Sequence, residues 1–293
     1  MRRPLRAGQR VKQPGDRPVI GHLSFNKMLP NIITLLALCA GMTAILYALE
    51  NRFDAAVAAI MVAGALDGLD GRVARLLKAS SSFGAELDSL SDFVCFGVAP
   101  ALLLFIWTMK GIGAVGWVAA LLLAMCSALR LARFNTQLGL PEAPPYAYNF
   151  FTGVPAPAGA GLALLPICAA FELGDDWFRS PWPVAFWTVI IAGLMVSRIP
   201  TFSGKKLRVA PDYVPPLLIG AAVFAAFMLT VPFATLLVLG LAYLGSIPFS
   251  IRSYRRLEQT HAAMRSARAL PDAPLLRAVE TLPGLEPEEP EDE

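Results

Sequence analysis

Residues 54–77 read DAAVAAIMVAGALDGLDGRVARLL, an apolar run of membrane-spanning length that carries two carboxylates in its last half. A stretch of about 20 apolar residues crosses the ~30 Å hydrocarbon core of a bilayer as a helix. A charged side chain inside such a helix costs at least ~2.5–3.5 kcal/mol on insertion scales. The stretch therefore predicts a membrane helix, and Asp67 and Asp70 indicate a functional site within it.

The composition of the whole chain agrees with a membrane protein. Of 293 residues, 56% are hydrophobic and only 16% are charged, and the mean hydropathy is +0.56. Soluble domains carry roughly 25% charged residues, so this chain has too few charges to cover a water-exposed surface. The composition excludes a soluble enzyme, a secreted disulfide scaffold and a disordered protein.

Apolar segments recur along the chain and predict an all-α, polytopic transmembrane helical bundle. We expect about eight spans, within a range of six to eight, at 30–49, 54–77, 82–109, 113–135, 150–171, 182–199, 214–229 and 231–250. Basic residues concentrate in alternate loops, which the positive-inside rule places in the cytoplasm. This distribution predicts that both termini are cytoplasmic.

Three regions follow from the same pattern. We expect a basic cytoplasmic segment at 1–28, the transmembrane domain at 29–256 and a disordered acidic cytoplasmic tail at 257–293, which ends in EPEEPEDE. A tail so acidic and so rich in proline cannot bury enough apolar surface to fold. The basic N-terminal segment suits anionic lipid headgroups, and we expect no nucleic-acid partner.

A second set of carboxylates lies in the next predicted helix, within the sequence GAELDSLSD. At about 100° per residue, Asp67 and Asp70 share one ~140° arc of their helix with Gly71, Ala74 and Arg75. Asp88 and Asp92 share an ~80° arc of the next helix with Ser81 and Gly84. Two helices joined by a short turn can therefore present four carboxylates to one site. Without a cation these groups would repel one another, and an oxygen-only ligand set suits Mg²⁺ or Mn²⁺. Four such ligands suffice for two ions.

Small and basic residues lie on the same faces as these carboxylates. Gly71 and Gly84 would let a ligand approach the backbone closely, and Arg75 would donate to phosphate oxygens. Two other interpretations stay open at this point. The carboxylates could pair with arginines between packed helices, or they could line the cation pathway of a transporter.

The complete pattern resembles the signature of the CDP-alcohol phosphatidyltransferases. It reads Asp67-x-x-Asp70-Gly71-x-x-Ala74-Arg75, eight residues, then Gly84-x-x-x-Asp88-x-x-x-Asp92, and all eight defining positions match. Members of that family join a phosphatidyl or similar group from a CDP-activated lipid to an alcohol and release CMP. Three further segments resemble the bacterial phosphatidylserine synthase branch: FVCFGVAP at 93–100, RLARFN at 130–135 and FTGVPAP at 151–157.

The resemblance implies roles for individual residues. It implies that Asp67, Asp70, Asp88 and Asp92 bind two divalent cations, Mg²⁺ or Mn²⁺, and that Asp92 is also the catalytic base. The segment PNIIT that opens the first helix resembles the family's segment beside the nucleotide. The implied CDP-lipid contacts are Pro30, Asn31, Gly71, Arg75, Ser81 and Gly84.

The expected reaction forms phosphatidylserine and CMP from CDP-diacylglycerol and L-serine. The resemblance also implies a homodimer among membrane lipids of a bacterial inner membrane, with the active site facing the cytoplasm. Arg130, Arg133 and Arg198 are candidates for the serine carboxylate, although arginines that merely set topology would look the same. Another acceptor (choline, glycerol 3-phosphate or inositol phosphate) and a cation-coupled transporter remain the alternatives.

Overall fold

The fold is that of a computed structural model, which describes residues 25–79, 81–137, 150–202 and 214–268. The expected basic segment at 1–28 lies almost wholly outside these ranges, as does the tail beyond Arg268.

Helices make up nearly all of the described chain, and the all-α class is confirmed. The α-helices are α1 Phe25–Leu49, α2 Phe53–Leu76, α3 Ser82–Asp92, α4 Ala99–Trp107, α5 Ala114–Gln137, α6 Ala156–Ala163, α7 Leu165–Leu173, α8 Asp175–Phe178, α9 Pro181–Val196, α10 Val214–Thr230 and α11 Pro232–Arg268. A π-helical segment, Phe93–Val98, joins α3 to α4, and a 3₁₀ turn, Met109–Ile112, precedes α5.

Five helical stretches are long and apolar enough to cross a membrane. They are Met28–Leu49, Ser82–Trp107, Ala114–Thr136, Ala156–Leu173 and Pro232–Thr260. The apolar helices α9 and α10 are shorter, and α2 has sufficient length but contains Asp67, Asp70 and two arginines. The chain is therefore a membrane protein with at least five candidate spans.

The predicted span at 150–171 does not begin as a helix. Its first residues, Phe150–Thr152, form strand β1, which pairs antiparallel with β2, Pro200–Phe202. Gly153 has a φ of +80°, and Pro155 lacks the amide hydrogen that a helix would need there. The helix consequently starts only at Ala156.

The C-terminal helix is longer than the sequence indicates. The apolar pattern ends the membrane domain at residue 256, whereas α11 continues to Arg268. The first part of the expected tail is therefore helical.

Helices α1 and α2 form the most extensive helix pair and pack antiparallel. Their interface contains fully buried alanines, among them Ala44 and Ala48 of α1 and Ala56 and Ala63 of α2. Small residues let membrane helices approach closely, while large apolar side chains on the outer faces meet lipid. This pairing brings the beginning of α1 beside the end of α2.

The π-helical segment also packs against α1. Cys95 donates to the carbonyl of Ala37 at 3.3 Å, and a Cβ on Gly41 would lie only 2.6 Å from the Cys95 sulfur. Ser91, on α3, contacts the carbonyl of Thr34 at 3.3 Å. Helix α1 thus holds both carboxylate-bearing helices, α2 and α3, against itself.

Candidate active site

The predicted carboxylates come together where the end of α2 meets α3. Ligand oxygens of Asp67, Asp70 and Asp88 all lie within 4.8 Å of one another. The fourth carboxylate, Asp92, is within hydrogen-bonding distance of Asp67. The structure therefore gathers three of the four in one cluster and places the fourth directly beside it.

None of these aspartates pairs with an arginine or lysine in the described part of the chain. The ion pair found in the described ranges joins Arg52 to Glu50, which lie in the turn between α1 and α2 and not in the cluster. This disfavours the interpretation in which the carboxylates only pair with arginines between packed helices. Clustered carboxylates that are buried or partly buried, and that have no basic partner among the described residues, fit a site for hard divalent cations, because such ions prefer oxygen ligands.

The turn between α2 and α3 fixes the spacing of the cluster. Lys78 adopts a left-handed conformation with a φ of +48°, which reverses the chain after α2. Ser81 then caps α3, since its hydroxyl oxygen accepts a hydrogen bond from the amide of Gly84 at 3.0 Å. An N-cap of this kind satisfies one of the free amides of the first helical turn and stabilises the helix start.

Thr34 is a site residue that sequence reasoning missed. Its hydroxyl is 2.7 Å from a carboxylate oxygen of Asp70 and 3.1 Å from the carbonyl of Pro30, and the side chain is buried. The shorter contact makes Thr34 the donor that orients Asp70. The only sequence signal was its place in the segment PNIIT, because nothing in the sequence alone shows that α1 packs against the end of α2.

A cavity of about 580 Å³ opens beside the cluster. All six residues predicted to contact the CDP-lipid line it, together with two of the cluster carboxylates: Pro30, Asn31, Gly71, Arg75, Ser81, Gly84, Asp70 and Asp88. Residues from α1, α2 and α3 thus share one space with the carboxylates.

The two signature glycines have different structural reasons. A Cβ on Gly84 would lie 2.8 Å from the amide oxygen of Asn31, so only glycine allows that side chain to approach α3. A Cβ on Gly71 would meet no atom within 4 Å in the part of the chain that the structure describes. Gly71 therefore leaves open space in the cavity instead of making room for a neighbouring residue.

Arg75 is exposed at the cavity and is only partly engaged. Its Nε donates to the carbonyl of Gly71 at 3.0 Å, and neither terminal nitrogen has a hydrogen-bond partner among the described residues. A guanidinium held by one nitrogen, with its other donors free, can bind phosphate oxygens.

The three arginines considered for the acceptor occupy different environments. Arg133 donates to the carbonyl of Val196 at 2.8 Å and so ties α5 to the last residue of α9. Arg198 is exposed. Arg130 is half-buried, stacks 5.5 Å from the ring centre of Phe134 and lies in the electrostatic field of Asp92. Only Arg130 is thus associated with the carboxylate site.

Comparison with known proteins agrees with this geometry. Residues 27–199 match the family model described as CDP-alcohol phosphatidyltransferase, and residues 212–248 match a second one, CDP-alcohol phosphatidyltransferase 2.

Several curated relatives align over most of the chain. The chain is 45% identical over 233 residues to the CDP-diacylglycerol–serine O-phosphatidyltransferase of Mycobacterium tuberculosis, covering 80% of this chain and 81% of the relative. It is 42% identical over 253 residues to the protein of the same name from Mycobacterium leprae, covering 83% and 84%. It is also 32% identical over 173 residues to the archaetidylserine synthase of Methanothermobacter thermautotrophicus, covering 58% and 68%.

Proposed function

The chain belongs to the CDP-alcohol phosphatidyltransferase family, and from that premise we propose that it forms phosphatidylserine and CMP from CDP-diacylglycerol and L-serine. The observation that carries the proposal is the cluster of signature carboxylates beside a cavity lined by the remaining signature residues. The names of the relatives support serine as the acceptor, because each describes a serine or archaetidylserine product.

Asp67, Asp70, Asp88 and Asp92 would hold two divalent cations, Mg²⁺ or Mn²⁺. The fit rests on their oxygen-only donor set, the 4.8 Å spacing of three of them and the absence of basic partners in the described ranges. Two such ions, when bound, stabilise negative charge on the entering and leaving oxygens of a phosphoryl displacement. The protein itself contributes the orientation of these ligands, for example through Thr34 and Asp70.

The cavity would bind the CDP end of the lipid substrate. Arg75 offers free guanidinium donors to phosphate oxygens, and Gly71 leaves the backbone accessible. Pro30, Asn31, Ser81 and Gly84 shape the wall on the side of α1 and α3. This arrangement presents the diphosphate to the carboxylate cluster.

Asp92 would act as the base. Serine attacks the phosphatidyl phosphorus through its hydroxyl oxygen, the P–O bond to CMP breaks, and the hydroxyl proton passes to a carboxylate oxygen of Asp92. A hydroxyl group is a weak nucleophile, and a positioned base contributes about 10²–10⁴-fold to such a step. The location of Asp92, beside Asp67 and in the field of Arg130, supports this role.

For the acceptor, Arg130 would bind the serine carboxylate, whereas the other two candidates have less support. Arg133 is engaged by the carbonyl at the end of α9, and Arg198 is exposed. A carboxylate is the natural partner of a guanidinium that has no acidic partner of its own.

The membrane arrangement is proposed on the same basis. Eight crossings, with both termini in the cytoplasm, would place the basic ends of α2 and α5 on the cytoplasmic side of a bacterial inner membrane. The active site would then face the cytoplasm, with CDP-diacylglycerol supplied from the surrounding lipid. The homodimer rests on the family resemblance alone, and the division into segments 1–28, 29–256 and 257–293 rests on composition.

A comparison of acceptors tests the proposal. CMP release is measured with purified full-length protein in detergent, with CDP-diacylglycerol and Mn²⁺ or Mg²⁺. L-serine, choline, glycerol 3-phosphate and inositol phosphate serve as acceptors in parallel reactions. We expect CMP release that depends on L-serine. Release with another alcohol only would retain the transferase and refute the serine assignment, whereas no release with any acceptor would refute the transferase.

A further inference from the structure

Helix α5 is fixed to the carboxylate-bearing helix at two points. Asn135 donates to the hydroxyl of Ser89 at 2.9 Å. At the other point, a Cβ on Gly97 would lie 3.0 Å from the Ser127 hydroxyl oxygen, so the two backbones are in close contact. The two contacts define an antiparallel register. Arg130 lies between these two points, opposite the stretch that contains Asp92.

Arg130 makes no side-chain hydrogen bond to any residue in the described ranges. Its contacts there are the Phe134 ring at 5.5 Å and electrostatic interactions with Asp92 and with Tyr243 of α11. By contrast, Arg133, one turn further along α5, uses a guanidinium nitrogen to bind the carbonyl of Val196. Arg130 therefore has unused donors next to the proposed base.

Tyr243 brings a second unused donor from the C-terminal helix. Helix α11 packs against β2, where the Tyr243 hydroxyl interacts with the Thr201 side chain, whose own hydroxyl donates to the carbonyl of Gly153 at 2.9 Å. The Tyr243 hydroxyl is buried and makes no hydrogen bond of full geometry within the described ranges. A buried hydroxyl without a partner is unfavourable, so a hydroxyl in this position indicates a ligand that pairs with it.

We propose that Tyr243 and Arg130 together form the subsite for the carboxylate of the acceptor, with the Tyr243 hydroxyl donating to one carboxylate oxygen. Among the described residues, these two donors have no acidic neighbour other than the base, which makes the local environment complementary to an anion. In L-serine the hydroxyl and the carboxylate are close neighbours, so the residue that binds the carboxylate must lie near the residue that takes the hydroxyl proton. Arg130 meets that requirement because it interacts electrostatically with Asp92, the proposed base.

The proposed subsite gives the C-terminal helix α11 a role in binding the acceptor. The first matched segment, residues 27–199, contains the whole signature. Helix α11 lies outside that segment: its first part falls within the second matched segment, 212–248, and the rest of the helix follows it. All residues of the signature therefore lie outside α11, which leaves α11 available to select the acceptor. The inference rests on the proposed function, because it identifies the acceptor as an amino acid.

The test removes only the hydroxyl. Tyr243→Phe keeps the ring and its packing, and it deletes a hydroxyl that makes no hydrogen bond of full geometry with the described residues, so we expect the fold to be retained. We expect the KM for L-serine to rise about tenfold, while the KM for CDP-diacylglycerol stays unchanged. We also expect the preference in kcat/KM for L-serine over L-serinamide, which lacks the carboxylate charge, to fall about tenfold. A purely structural role would not change that preference.

The matched control is Tyr47→Phe, which removes a tyrosine hydroxyl near the turn at the other end of α1 while keeping a ring for Arg52 to stack on. We expect wild-type kinetics from it. Wild-type discrimination in Tyr243→Phe, or an equal loss with both acceptors, would overturn the subsite. A wild-type protein that releases no CMP with L-serine would instead overturn the proposed function, and the subsite with it.

Discussion

Replacing Gly71 with alanine should make the protein more stable and less active. Gly71 lies inside α2, where alanine stabilises a helix by about 0.5–1 kcal/mol relative to glycine. The new methyl group would meet no atom of the described residues within 4 Å, so none of them opposes this gain. The same methyl group would project into the 580 Å³ cavity that we assign to the CDP-lipid.

The expected loss follows from crowding of the bound substrate. An extra methyl group in a filled site costs about 1–3 kcal/mol, which corresponds to about a fivefold to hundredfold rise in the KM for CDP-diacylglycerol. The assay combines CMP release at varied CDP-diacylglycerol with thermal unfolding of the same detergent-solubilised sample. The KM should increase while the midpoint of unfolding stays the same or rises.

Gly68→Ala is the matched control. Gly68 lies three residues earlier in α2, a Cβ there also meets nothing within 4 Å, and the residue does not line the cavity. It should gain the same stability and keep wild-type kinetics. An unchanged KM in Gly71→Ala, or an equal loss of activity in both variants, would refute the assignment of the cavity.

Two further substitutions test individual contacts in the site. Gly84→Ala would place a methyl group 2.8 Å from the Asn31 amide oxygen, so we expect Asn31 to be displaced. The KM for CDP-diacylglycerol, measured by CMP release, should then rise, and an unaltered KM would contradict this. Thr34→Val keeps the side-chain shape but removes the donor to Asp70, and partners of metal ligands typically contribute 10–100-fold to metal affinity or activity. The Mn²⁺ concentration for half-maximal activity should therefore rise about tenfold or more at an unchanged unfolding midpoint, and an unshifted Mn²⁺ titration would refute the orienting role.

The carboxylate cluster could be predicted from the sequence because the cost of burying charge is local. Carboxylates in an apolar helix require an explanation wherever they occur, and helical periodicity then decides which of them share a face. Periodicity groups Asp67, Asp70, Asp88 and Asp92, and the structure places oxygens of the first three within 4.8 Å of one another. Only a short turn separates α2 from α3, so the contact between these two helices also follows from neighbouring residues in the sequence.

Features that depend on distant packing could not be predicted in this way. The hydrogen bond between Thr34 and Asp70 joins residues 36 apart in sequence, and it exists only because α1 packs on α2. The pairing of β1 with β2 likewise depends on how α9 ends. Arg133 and Arg130 look alike in the sequence, yet the end of α9 binds only the first. Periodicity carries no information about such contacts.

The central claim is that Asp92 supplies the base for phosphatidyl transfer to L-serine. The most direct measurement is incorporation of labelled L-serine into chloroform-soluble phosphatidylserine by the wild type, Asp92→Asn and Glu86→Gln. Glu86 lies on the same helix but is exposed and is not part of the cluster, so its variant removes a carboxylate without touching the site. We predict labelled phosphatidylserine from the wild type and Glu86→Gln, and a loss of about 10²-fold or more in Asp92→Asn. Labelled product from Asp92→Asn at the rate of the Glu86→Gln control would contradict the account.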